Sequence, residues 1–184
     1  MSPSARKAIH KREVVYECFA RDDGLFEIDA EMRDTKSYDI PKSLGGILKA
    51  GEPIHHMRIR VTLDSDLKIC DVRTTLDSAP FPQCQATADP MKQLVGFSFG
   101  PGWRKRIDGT VGGTLGCTHL RELIFNMATA AFQAIPHYVS NTRLEPVVAT
   151  DTPPHYVGQC MTWAFEGPAV MQFAPRFYRP PPST

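Results

Sequence analysis

At 184 residues with 42% hydrophobic and 22% charged side chains, the chain has the length of one globular domain and too much apolar content to stay disordered. Its 21 Lys and Arg against 20 Asp and Glu leave a formal charge of +1. No sequence-wide field favours a polyanion, and nucleic acid is excluded as an expected partner.

No apolar run approaches the roughly 18 residues that mark a membrane-spanning helix. The first residues also lack the apolar stretch and small-residue cleavage site of a secretory signal. The expectation is a cytoplasmic protein without membrane contact. In that reducing compartment, five cysteines, an odd number, beside six histidines imply free or metal-bound thiols rather than disulfides. Residues 1–184 read as a single domain, with 1–12 as an N-terminal arm and 179–184 as a Pro-rich tail.

From Glu13 the text is that of a hairpin. Val14 to Phe19 runs into Asp23-Gly24, a turn signal, and returns through Leu25 to Met32. Phe26, Ile28, Ala30 and Met32 alternate with Glu27, Asp29 and Glu31, the period of a strand with one buried face. Residues 34–52 read as a long connection. In the next strand, Ile54 to Leu63, the odd positions His55, Met57, Ile59, Val61 and Leu63 form the buried face. His56 instead shares the wet face with Arg58 and Arg60. After Asp64-Ser65-Asp66 the chain returns through Leu67 to Thr74, which completes an antiparallel meander of about four strands.

Asp89-Pro90 then reads as the N-cap and first position of a short helix through Met91, Leu94 and Val95. Residues 100–116 hold six glycines and read as a loop, without the spacing of a phosphate-binding motif. From Cys117 to about Ile135, Leu120, Leu123, Ile124, Met127, Ala128, Ala131 and Ile135 mark one face of an amphipathic helix, with Pro136 as its stop. Gly158 to Phe165 and Val170 to Tyr178 read as strands. The fold class is α+β, an antiparallel meander packed against one long helix in the C-terminal half.

Chemistry concentrates in His55, Cys84, Cys117 and His119, with Cys160 in reserve. Zinc takes thiolate and imidazole ligands held on rigid elements. His55 enters a strand on its core face, Cys84 precedes a helix and Cys117 opens the long one. A helix N-terminus favours the thiolate form, which binds metal or attacks a substrate. The expected zinc ligands are His55, Cys84 and Cys117, with water, substrate, His119 or Cys160 in the fourth position. In the catalytic version His119 shuttles the proton. The competing readings are core packing for each residue, a purely structural zinc, or no metal. Phe97, Phe99, Trp103, Tyr138 and Trp163 are candidate walls for a small, flat or acyl substrate, with Arg104 and Lys105 fixing an anionic group. A small organic molecule and a second copy of the chain are the partners to expect.

The strings Gly51-Glu52-Pro53-Ile54-His55-His56-Met57, Pro80-x-x-x-Cys84, Gly100-Pro101-Gly102-Trp103 and Gly116-Cys117-Thr118-His119-Leu120 resemble a bacterial family known as a domain of unknown function. The resemblance covers roughly residues 10–178. The order of parts also resembles iron–sulfur scaffold proteins of the IscU and SufU type, and implies a core of that kind. His55, Cys84 and Cys117 would occupy the three ligand positions. In those scaffolds an aspartate follows two residues after the first ligand, whereas here the pair is His55 and Met57. That resemblance implies the rival function, a non-catalytic carrier of metal or sulfur that docks a partner protein.

Overall fold

A computed structural model describes residues 4–142, 151–154 and 156–181. The chain divides into two compact units, residues 1–141 and 142–184. In the first, β1 (His10–Ala20), β2 (Phe26–Lys36), β5 (Pro53–Leu63) and β6 (Ile69–Ser78) form a four-stranded antiparallel sheet in that order. The β2–β5 connection carries a small hairpin of β3 (Ile40–Pro41) and β4 (Ile47–Leu48). The α+β class and the meander expected from the period-two text are present.

Strand parity sorts the side chains as expected. Phe26, Ile28, Ala30 and Met32 of β2 are buried, as are Met57, Ile59, Val61 and Leu63 of β5. They share one core with Leu120, Leu123, Ile124, Met127, Ala128, Ala131 and Ile135 of α2 (Thr118–Thr142). On the opposite face Arg60 grips Asp29 through two hydrogen bonds of 2.6 Å, and Arg58 reaches Asp77 at 3.0 Å.

The elements differ from the sequence expectations where tertiary context outweighs local pattern. The expected arm already belongs to β1 by His10, because pairing with β2 (His10↔Lys36, Arg12↔Asp34) orders a polar stretch that shows no period of its own. The expected helix at Pro90 is a 3-10 helix that starts earlier, at Pro82, and runs to Leu94 with Pro90 inside it. The glycine-rich stretch holds α1 (Trp103–Val111), whose buried Trp103, Ile107 and Val111 recur every fourth residue. Pro136 does not end α2. Ile135 is buried before it and Val139 packs on the core after it, so packing carries the helix past the missing donor.

In the second unit, α3 (Pro168–Phe173) and a 3-10 turn, Pro175–Phe177, occupy text that reads as strand. Pro168 at the first helical turn suits a helix start. This unit has its own small core of Val157, Val170 and Ala174, with Trp163, Phe165, Phe177 and Tyr178 packed on it. Among the described residues no helix is long and apolar enough to cross a membrane.

Candidate functional site

The buried row of β2 does not stop at Met32. Asp34 continues the same parity and is itself buried, 3% exposed. It lies opposite Arg12 of β1 and opposite His55 of β5. Three adjacent strands therefore place a guanidinium, a carboxylate and an imidazole side by side at one end of the core face. The start of α2 closes that end, where the ring of His119 lies on the ring of His55 with centroids 4.0 Å apart at 37°. Among the described residues, Asp34, His55 and His119 form a group whose candidate ligand atoms all lie within 4.8 Å of one another.

The carboxylate of Asp34 is fully engaged. Its Oδ1 accepts from Arg12 Nε at 2.7 Å and lies 3.2 Å from His10 Nε2, while Oδ2 accepts from Arg12 Nη2 at 2.6 Å and lies 3.1 Å from His55 Nδ1. A carboxylate offers about four lone-pair directions, and these partners use them. Burial pushes the Asp34 pKa up, but the hydrogen bonds and charge of Arg12, with His55 and His10, outweigh it and hold the group at about 2. At neutral pH Asp34 is an anion that orients His55 and turns the Nε2 side of that ring away from itself. Burial lowers the pKa of His55 more than the charge of Asp34 raises it, which favours the neutral imidazole a metal binds.

Cys117 stands immediately before α2. Its carbonyl accepts the first-turn N–H of Arg121 at 2.9 Å, and its Sγ lies 3.7 Å from His119 Nδ1. Burial of Cys117 raises the thiol pKa, but the His119 imidazole and the backbone N–H groups of Leu120 and His119 together lower it below the ordinary value. The helix start thus favours the thiolate, as the sequence position implies.

Of the three expected ligands, His55 belongs to the group while Cys84 and Cys117 do not. Cys117 is next to the group through His119. Cys84 sits in the 3-10 segment fixed to β6, where Gln85 Nε2 donates to Leu76 O at 2.9 Å, and like Cys117 it packs on the core. His119, expected as a proton shuttle or as a fourth ligand, stands beside His55. Trp103 is 4% exposed and meets Phe99 edge-on, which makes it a core residue rather than a pocket wall. Arg104 lies over the ring of Phe125 at 4.2 Å. Trp163 belongs to the second unit, where its ring meets that of Tyr156 at a tilt of 56° with centroids 4.5 Å apart. Cys160 is exposed in that unit.

Asp34, Arg12 and His10 are not among the site residues that the sequence suggests. The signal for Asp34 was available, since an acid at the next position of a buried strand row needs a partner. Arg12 and His10 carry no comparable signal, because only the β1–β2 register reveals them.

A protein-family model described as protein of unknown function (DUF2889) matches residues 10–133. The match contains the whole sheet, Cys117 and every residue of the group. No curated protein and no solved structure matches the chain.

Proposed function

The chain belongs to the DUF2889 family, and for this member we propose a zinc-dependent enzyme acting on a small organic substrate, with His55, His119 and Cys117 as the ligands. The observation that carries this reading is the Asp34–His55–His119 stack. Metal-binding histidines commonly donate their second ring N–H to a carboxylate, which fixes the tautomer and aims the other nitrogen. Asp34 does this for His55 at 3.1 Å. Because its own oxygens are engaged by Arg12 and His10, Asp34 is a positioning residue and not a ligand. Two imidazoles and a helix-start thiol are a donor set suited to zinc, and three protein ligands leave a position for water or substrate. When bound, the ion would act as a Lewis acid and lower the pKa of its water. Arg104, exposed at the start of α1, is the candidate for holding an anionic group of the substrate. Trp103 supports α1 from the core.

A second reading has one observation in its favour. The thiolate-favouring position of Cys117 at the start of a long helix is similar to that of a ligand in iron–sulfur scaffold proteins, which would make the chain a carrier of metal or sulfur with an IscU- or SufU-like core. Cobalt substitution separates the alternatives. The enzyme reading predicts a near-ultraviolet thiolate-to-cobalt band that disappears in Cys117→Ser and survives in Cys84→Ser. Loss of the band in Cys84→Ser, or transfer of a persulfide from Cys117 to an acceptor protein, would favour the carrier.

A further inference from the structure

The two edges of the sheet differ. The outer edge of β6 is covered, with Ile69 N–H donating to Phe97 O at 2.8 Å, Gly96 N–H to Ile69 O at 2.8 Å and the Gln85 amide to Leu76 O at 2.9 Å. Within the first unit, the outer edge of β1 has no such cover among the described residues. It is an uninterrupted 11-residue strand, paired with β2 without a bulge from His10 to Ala20 and containing no proline. Long, regular, open edges are surfaces on which another strand can pair.

The hydrogen-bond phase of that edge can be read. Arg21 donates its N–H to Leu25 O at 2.9 Å in the hairpin turn. In an antiparallel pair the direction of the backbone groups alternates by residue, so odd residues of β1 bond to β2. The N–H and C=O of His10, Arg12, Val14, Tyr16 and Cys18 therefore point outward. An independent bond agrees, because Lys36, opposite His10, turns its carbonyl away from β1 to accept from Gly51 at 2.9 Å.

We propose that β1 pairs antiparallel with β1 of a second copy of this chain about a two-fold axis at Val14, which makes one continuous eight-stranded sheet from two four-stranded ones. The register is selected by charge. With the axis at Val14, Lys11 lies opposite Glu17 of the partner on both sides of the axis. Arg12 lies opposite Tyr16, and the exposed Ile9 and Phe19, 63% and 46% accessible, face each other. Moving the axis to Val15 sets Glu13 against Glu17, and moving it to Glu13 sets that residue against its own copy. Like charges directly opposite destabilise strand pairs. The pairing also covers the outer flank of Arg12, whose side chain is 41% exposed where it holds Asp34. This inference does not depend on the metal.

Sedimentation of the full chain across micromolar concentrations tests the proposal. The wild type should dimerise. Glu17→Lys and Lys11→Glu should each raise the dissociation constant at least about tenfold, given two like-charge contacts per dimer. The double swap Lys11→Glu/Glu17→Lys should restore the wild-type constant, which separates lost pairing from lost folding. Val14→Cys should form a symmetric disulfide, since directly opposed residues of a hydrogen-bonded pair have Cα atoms about 5.5 Å apart. A monomer at all concentrations, a dimer indifferent to both reversals, or cross-linking through Val15→Cys in place of Val14→Cys would overturn it.

Discussion

Arg12 and Asp34 face each other across β1 and β2 as a two-pronged pair, Nε to Oδ1 at 2.7 Å and Nη2 to Oδ2 at 2.6 Å. The carboxylate is buried and the guanidinium half-exposed. Removing the cation leaves a buried anion supported only by histidines, which costs more than the pair itself contributes. Arg12→Ala should therefore lose on the order of 2 kcal/mol in urea unfolding. Arg12→Lys should recover only part of the loss, because an ammonium cannot present two parallel N–H groups.

The same pair sets an acid limb on stability. The pKa of Asp34 is about 2 in the folded chain against roughly 3.9 unfolded. A depressed folded value means the contribution is complete above the unfolded pKa and is lost as pH falls through the folded one. It amounts to roughly 2–3 kcal/mol. Unfolding free energy measured between pH 5 and pH 2 should fall less steeply in Asp34→Asn than in the wild type. An unchanged slope would contradict a carboxylate held ionised by Arg12 at this position.

Cys117 should be the thiol whose reactivity extends to lower pH. Its pKa lies below the ordinary value because of His119 and the helix-start amides. Alkylation of the metal-free protein, followed at each cysteine by mass spectrometry, should show a Cys117 midpoint that moves upward in His119→Ala. Zinc should protect Cys117. Protection of Cys84 in its place would move the ligand set back toward the one read from sequence.

Gly116 explains part of the local sequence around Cys117. Its backbone is extended, at φ −161°, so conformational freedom is not the reason for glycine. A Cβ there would lie 2.6 Å from the carbonyl oxygen of Val111 at the end of α1. Gly116→Ala should cost about 1–3 kcal/mol, as overpacking does, and should weaken metal binding by shifting Cys117. Gly113, at φ +55° with open space around it, should tolerate alanine at a cost of about 1–2 kcal/mol in backbone conformation without loss of metal.

The strands and the long helix could be read from sequence because their periods are set by burial on one face. Phe26 to Met32, Met57 to Leu63 and Leu120 to Ile135 all obey that rule. The site was only half visible for the same reason. His55 and Cys117 stand at positions where parity or a helix start gives them direction. Asp34 stands in text that reads as a connection, although it continues the strand row. Arg12 and His10 have no local signature, and their roles come from cross-strand register alone. Cys84 and Cys117 both pack on the core, and only Cys117 has a histidine of the group beside its sulfur. Trp163, in strand-like text, follows the small core of the second unit, whose glycines and prolines break any sustained period.

In the proposed centre His55, His119 and Cys117 hold zinc, with Asp34 orienting His55. Metal analysis of protein purified without chelator, combined with X-ray absorption at the zinc edge, tests it most directly. One zinc per chain is expected, with a single sulfur and otherwise nitrogen or oxygen neighbours, and with the sulfur absent in Cys117→Ser. Protein that carries no stoichiometric transition metal, or zinc with two sulfur neighbours of which one is lost in Cys84→Ser, would contradict the claim.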